Sequence, residues 1–188
     1  MRIISGTARG TKLYTLEGNN TRPTLDRVKE SLFNILQEYI AGSDFLDMFA
    51  GSGAIGLEAA SRGANKVVLC DNSSQACEVI RKNIDKTHLS KKVELYNLNY
   101  KIVLENKLQN QVFDIIYIDP PYQTDDGIKA LELLTKNTKK RNITKESIII
   151  VETDDTQKYI QYIEKYGYEI KKNKKYGRAS LLMLKAKN

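Results

Sequence analysis

The chain has 188 residues, 41% of them hydrophobic and 28% charged, which suits one soluble globular domain with room for a substantial core. Its formal charge of +7 favours a polyanionic partner such as nucleic acid. Two cysteines and one histidine leave almost no material for a zinc site or a histidine-based triad, and no run approaches the ~18 consecutive apolar residues of a membrane span.

Taken in chain order, Arg2-Ile3-Ile4 and Thr11-Lys12-Leu13-Tyr14 read as two short strands around Gly6 and Gly10, an N-terminal hairpin extension over residues 1–21. Met1-Arg2-Ile3-Ile4 is too short an apolar run for a signal peptide, so the expected location is the cytoplasm. Glu17 to Thr21 is polar and rich in glycine and asparagine, hence a loop. Arg22-Pro23-Thr24 opens a helix on which Val28, Leu32, Ile35, Leu36 and Tyr39 share one face, with Gly42 ending it. Arg27, Lys29 and Glu30 lie off that stripe, and a solvated face accounts for Lys29.

From there strands and helices alternate. Strands near Asp44–Phe49, Lys66–Cys70, Val93–Tyr96, Phe113–Ile118 and Ser147–Glu152 are separated by helices over Ala54–Arg62, Ser73–Thr87, Tyr100–Lys107 and Gly127–Thr138. Cys70 and Cys77 fall on a strand and the helix beside it and read as core thiols, while His88 closes that helix in solvent. A helix over Thr156–Tyr166 precedes two strands, Tyr168–Lys174 and Ser180–Lys185, joined through Lys175-Tyr176-Gly177-Arg178. Strict alternation predicts an α/β domain over residues 22–188, doubly wound around a mainly parallel sheet, with a terminal hairpin contributing one antiparallel strand. Ligands in such sheets bind beyond the carboxyl ends of the strands, where the strand order reverses.

Two of those ends carry unusual residues. Gly51-Ser52-Gly53-Ala54-Ile55-Gly56 is a G-x-G-x-x-G loop between a strand and a helix, with Asp71 twenty residues after Gly51, placed for ribose hydroxyls. By itself this pattern also fits a dinucleotide and an NAD-dependent oxidoreductase. Asp47 separates the alternatives, because it faces the same crevice and a pyrophosphate there would meet an unpaired carboxylate. Like charges at ~4 Å and an effective dielectric of 20 cost about 4 kcal/mol. S-adenosylmethionine brings an ammonium, a sulfonium and hydroxyls instead, which suit Asp47 and Asp71.

The other end is Asp119-Pro120-Pro121-Tyr122, closing the apolar run Ile115–Ile118. Two prolines stop the ladder and stiffen the turn, leaving an acceptor-only carboxylate and an aromatic for a flat, amine-bearing substrate. The bland alternative is a rigid strand-terminating turn.

With Asp47, the glycine loop, Asp71 and Asp119-Pro120-Pro121-Tyr122 in this order, the chain resembles class I S-adenosylmethionine-dependent amino-methyltransferases. Met1-Arg2-Ile3-Ile4-Ser5-Gly6-Thr7-Ala8-Arg9-Gly10, Arg22-Pro23-Thr24-Leu25-Asp26-Arg27-Val28-Lys29-Glu30-Ser31-Leu32-Phe33-Asn34 and Leu46-Asp47-Met48-Phe49-Ala50-Gly51-Ser52-Gly53 resemble the RsmD family of bacterial 16S ribosomal RNA guanine-N2 methyltransferases. The resemblance covers essentially the whole chain. It implies a Rossmann-like seven-stranded sheet, order 3-2-1-4-5-7-6, with the last strand antiparallel. It further implies that Thr24, Arg27 and Glu30 lie over the methionine end of the cofactor, with Arg27 pairing its carboxylate or making a surface ion pair. Asn99 stands where relatives often carry an acid beside the adenine. The expected reaction is methyl transfer to an exocyclic base amine held by Asp119 and the Pro120 carbonyl, with Pro121 stiffening the turn and Tyr122 stacking on the flipped base. Adenine, cytosine or a glutamine amide are the alternative acceptors, and a non-enzymatic RNA-binding module is the remaining class. Arg2, Arg9, Lys12, Arg22, Lys174, Lys175 and Arg178 are candidate phosphate contacts for 16S ribosomal RNA within a small-subunit assembly particle. The chain is expected to act as a monomer, with no metal.

Overall fold

The computed structural model describes residues 1–16, 23–121, 124–136 and 142–187. The first helix, α1 (Pro23–Leu36), buries Val28, Leu32, Ile35 and Leu36. The expected stripe stops short of Tyr39, which is 42% exposed. The helix closes at Leu36, and the Tyr39 amide donates back to the Leu36 carbonyl in a turn that swings the ring outward.

From Asp44 the alternation is regular: β1 (Asp44–Asp47), α2 (Ala54–Ser61), β2 (Lys66–Asp71), α3 (Ser74–Thr87) and β3 (Val93–Asn97). A single turn, α4 (Tyr100–Ile102), continues into a π-helical turn over Val103–Lys107. Then come β4 (Ile115–Ile118), α5 (Asp126–Lys136), β5 (Ile148–Thr153), α6 (Thr156–Lys165), β6 (Tyr168–Tyr176) and β7 (Ala179–Ala186). All seven strands form one sheet in the order β3-β2-β1-β4-β5-β7-β6, as the resemblance implied. The first five run parallel, and β7 lies antiparallel to both β5 and β6.

Both faces of the sheet are covered, which is why its central strands are apolar throughout rather than alternating. Ile148 and Ile150 point to the layer containing α1, α2 and α3; Ile149 and Val151 point to Val103, Leu131 and Ile163 on the other side. Cys70 and Cys77 are buried free thiols, and burial pushes the Cys70 thiol up to about 12. His88 caps α3 in the left-handed conformation and is exposed. Among the described residues no helix is long and apolar enough to cross a membrane.

The N-terminal hairpin is reduced to one antiparallel bridge, Arg2 with Lys12, flanked by hydrogen bonds from the amides of Ile3, Gly10 and Leu13 to the carbonyls of Thr11, Ile3 and Met1. The segment between the two expected strands spends its polar groups on α2 instead. The amides of Ile4 and Ser5 donate to the Glu58 carboxylate at 2.8 and 3.0 Å, and Ala8 N–H donates to Ser61 Oγ at 2.9 Å. Gly6 sits so close to α2 that a Cβ there would fall 1.8 Å from the Ser61 carbonyl oxygen.

Lys29 is the main correction to the sequence reading. It is 1% exposed rather than solvated. Its ammonium lies 3.1 Å from Glu58 Oε2 and donates to the Arg2 carbonyl, so α1, α2 and the N-terminal segment meet on one buried charge pair.

Candidate active site

The strand order reverses between β1 and β4, and the site is built on the carboxyl ends of those two strands. After β1 the chain turns through Gly51 and Gly53, whose φ values of 56° and 77° lie in the left-handed region that disfavours side chains. Gly51 N–H donates to Asp71 Oδ2 at 2.8 Å, and Ser73 N–H donates to Oδ1 at 2.8 Å. Asp71 therefore pins the glycine loop to the end of β2 while still facing the crevice. Gly53 faces inward: a Cβ there would meet Ile80 and Leu69 at 3.3–3.4 Å, so its role is packing and turn geometry. Gly56 lets α2 close on β2, because a Cβ would lie 2.2 Å from Leu69 Cδ2.

Asp47 ends β1 with its side chain 1% exposed. Burial, opposed by the Phe49 amide and reinforced by the Asp71 charge, raises its carboxyl to about 7. It lines a cavity of about 160 Å³ together with Met1, Lys29, Asp119 and Glu152. A second cavity of about 540 Å³ runs from Asp71 and Asn99, past Tyr100, to Asp119 and Pro120. Phe49, Gly51 and Asp119 line both, making one continuous crevice over the ends of β1, β2 and β4.

Asp119 follows β4 directly, half-buried. Burial first, then the Glu152 and Asp47 charges, hold its carboxyl well above the usual carboxylate range. Pro120 is buried and Pro121 exposed. The Pro120 ring is wedged beside Gly127 at the start of α5, where an added Cβ would lie 2.9 Å from Pro120 Cγ and 2.1 Å from Tyr159 Oη. The turn is thus held from behind as well as by its own rings.

The crevice brings together Asp47, Gly51, Asp71, Asn99, Asp119, Pro120 and Pro121 from the sequence-based set. Asn99 caps α4, its Oδ1 accepting from Lys101 N–H at 3.0 Å, which leaves the amide N–H groups as donors. Arg27 is exposed, next to the cavity-lining Val28, and makes no ion pair with another described residue. Arg22 and Tyr122 lie outside the described residues, as does the side chain of Thr24. Arg2, Arg9, Lys12, Lys174, Lys175 and Arg178 are all exposed.

Glu152 and Tyr100 line the crevice and escaped the sequence reading. Glu152 is 6% exposed on β5 and accepts a 2.5 Å hydrogen bond from the Tyr117 hydroxyl. The signal was available, since Glu152 is an acid that directly follows four consecutive branched apolar residues at a strand's carboxyl end. Tyr100 is 2% exposed, packs against Phe49 with ring centroids 5.0 Å apart, and its hydroxyl has no hydrogen-bond partner among the described residues. A buried orphan hydroxyl beside a cavity points to a polar ligand.

Comparison with known proteins agrees with this architecture. The family model described as Conserved hypothetical protein 95 matches residues 1–185. A Bacillus subtilis protein named putative rRNA methyltransferase YlbH is 36% identical over 155 residues, 82% of this chain and 83% of that protein. Ribosomal RNA small subunit methyltransferase D of Haemophilus influenzae is 37% identical over 155 residues, 82% of this chain and 79% of that one. Among solved structures, a putative methyltransferase yhhF from Escherichia coli superposes with a TM-score of 0.79 at 26% identity, covering 100% of this chain and 98% of that one.

Proposed function

The chain belongs to the Conserved hypothetical protein 95 family, the RsmD family, and from that premise we propose that it methylates the N2 amine of a guanine in 16S ribosomal RNA. It is a methyltransferase, and S-adenosylmethionine is its cofactor. That molecule supplies an electrophilic methyl group on a positively charged sulfur, which leaves as a neutral thioether.

The residues present fit such a group. Asp47 offers a carboxylate to a cationic amino-acid end, and Asp71 offers lone pairs to ribose hydroxyls. Asn99 keeps amide donors for an adenine nitrogen, and Tyr100 holds an orphan hydroxyl on the same wall. Arg27, exposed beside the cavity, is the proposed partner of the cofactor carboxylate, in a charge-assisted pair.

The observation that carries the reading is that Asp119 lines both parts of the crevice. An exocyclic amine is a poor nucleophile because its lone pair is delocalised into the ring. Asp119 and the Pro120 carbonyl accept its two N–H bonds and turn the lone pair toward the methyl carbon. Positioning at ~3–3.5 Å then supplies much of the acceleration. The nitrogen–carbon bond forms as the carbon–sulfur bond breaks, and the product ammonium releases its proton to a crevice carboxylate or to water. NAD fits poorly, since its pyrophosphate would sit against Asp47.

The RNA substrate is supported by the relatives' names and by the positive charge of the chain. We place the target within a small-subunit assembly particle, engaged by one copy of the chain and recognised by shape and phosphate contacts. The test is transfer of labelled methyl to RNA from cells lacking this protein, with the modified nucleoside identified by mass spectrometry. N2-methylguanosine is expected, and N6-methyladenosine or no incorporation would overturn the reading. Asp119→Ala should lose transfer while still binding S-adenosylhomocysteine.

A further inference from the structure

We propose that Glu152 is the residue that makes the acceptor a guanine, by accepting the N1–H beside the methylated amine. The inference rests on the methyl-transfer reading above and concerns which base that site admits.

The position of Glu152 is unusual. Its carboxyl is buried, yet it lines the 160 Å³ cavity with Asp47 and Asp119 and also a third cavity of about 370 Å³. That third cavity lies across the Pro120-Pro121 turn and is bounded by Asp155, Lys158 and Tyr159. Glu152 therefore stands where the two spaces meet, behind the group proposed to hold the amine. Paired register supports the placement, since β4 and β5 run side by side with Ile118 opposite Val151, so Asp119 and Glu152 each come one residue later.

The chemistry of that juxtaposition selects among bases. Adenine, cytosine and guanine all carry an exocyclic amine. In adenine and cytosine the adjacent ring nitrogen of the Watson–Crick edge is a bare acceptor; in guanine it carries a hydrogen. A flipped base is read on that edge. A wall made of Asp119, the Pro120 carbonyl and Glu152 presents carboxyl and carbonyl oxygens, which match the donor–donor edge of guanine, and Glu152 as a carboxylate opposes a bare nitrogen. Tyr117 keeps Glu152 in that role. Its hydroxyl donates to Oε2, which fixes the side chain and works against the upward push of burial on the carboxyl, leaving Oε1 to accept.

The test compares two substrates at the mapped target nucleotide, one with guanine and one with 2-aminopurine, which keeps the 2-amine but has a bare N1. Wild type is expected to prefer guanine by ~10²-fold or more in kcat/KM, as for sites that hydrogen-bond a substrate N–H. Glu152→Gln, whose amide can donate to a bare nitrogen, is expected to shrink that preference at least tenfold. Binding of S-adenosylhomocysteine by Glu152→Gln should stay within a few-fold of wild type. If Glu152→Gln does not fold, Tyr117→Phe replaces it and should narrow the preference in the same direction by freeing the carboxyl. An unchanged guanine preference in a folded variant overturns the inference while leaving methyl transfer intact. Absence of transfer by wild type would instead overturn the functional reading, and this inference with it.

Discussion

Lys29 Nζ lies 3.1 Å from Glu58 Oε2, with both side chains removed from solvent. Glu58 also accepts Arg62 Nε at 2.7 Å and the amides of Ile4 and Ser5. One carboxylate thus gathers donors from α1, α2 and the N-terminal segment. Removing one partner of a buried pair costs about 3–5 kcal/mol when the remaining charge is left uncompensated. Arg62 still neutralises part of the Glu58 charge in Lys29→Met, so that variant should lower unfolding stability in urea by less than this, about 2–3 kcal/mol. Glu58→Gln, which leaves the buried Lys29 without this carboxylate and weakens the hold on Arg62, should cost more than Lys29→Met. Amide hydrogen exchange across Ile3–Leu13 should speed up in Lys29→Met.

The same pair shows what the sequence could and could not say. Strand and helix periods made the α/β alternation readable, and the residues at strand ends, Asp47, Asp71 and Asp119, are where the switch-point rule places a site. Lys29 misled because a lysine off an apolar stripe is ordinarily solvated; only the tertiary approach of α2 and the N-terminal segment gives it buried partners. Gly127 carried no local signal either, since its close contacts with Pro120 and Tyr159 join three separate parts of the chain. The hairpin of residues 1–14 was readable as a reversal, but its extent depended on α2 drawing away the amides that a longer ladder would have used.

Asp47 makes the stability of the ligand-free protein depend on pH. Burial pushes its folded carboxyl up to about 7 from an ordinary 3.8, so the folded state holds a proton that the unfolded chain has already released. That contribution is full below about pH 3.8 and is lost as the pH rises through 7. Asp119 and Glu152 shift in the same direction. Between pH 5 and 8 the melting temperature of wild type should fall relative to that of Asp47→Asn, by the equivalent of about 3 kcal/mol over that interval. S-adenosylhomocysteine, which brings an ammonium, should stabilise wild type more at pH 8 than at pH 6. A parallel pH response in wild type and variant would show that Asp47 is not the titrating group.

Tyr100 separates a structural role from a ligand-facing one. Its buried hydroxyl makes no close hydrogen bond to a described residue and is influenced only by the nearby Asp126 carboxylate, so Tyr100→Phe removes a polar group that adds little to the ligand-free fold. Unfolding stability should stay level or rise by about 1 kcal/mol. Calorimetry should then show weaker S-adenosylhomocysteine binding, by roughly five- to tenfold for one lost hydrogen bond. Equal affinity would remove Tyr100 from the cofactor wall.

The terminal hairpin puts its basic residues at the same end of the sheet as the crevice. Register pairs Glu152 with Leu181 and Leu181 with Lys174, and likewise Thr153 with Ser180 and Ser180 with Lys175. Lys174 therefore lies two strand spacings from Glu152, roughly 10 Å. Lys174, Lys175 and Arg178 are exposed and make no ion pair with another described residue, so their removal should leave stability within about 0.5 kcal/mol. Each phosphate contacted contributes about 0.7–0.9 to the slope of log affinity against log salt. The triple alanine variant should weaken binding to the RNA or ribonucleoprotein substrate and flatten that slope by about 2 if these residues reach phosphates. The kcat at saturating substrate should change little, because none of the three lines the crevice. An unchanged salt slope would move the docking surface to the Arg2, Arg9 and Lys12 side of the molecule.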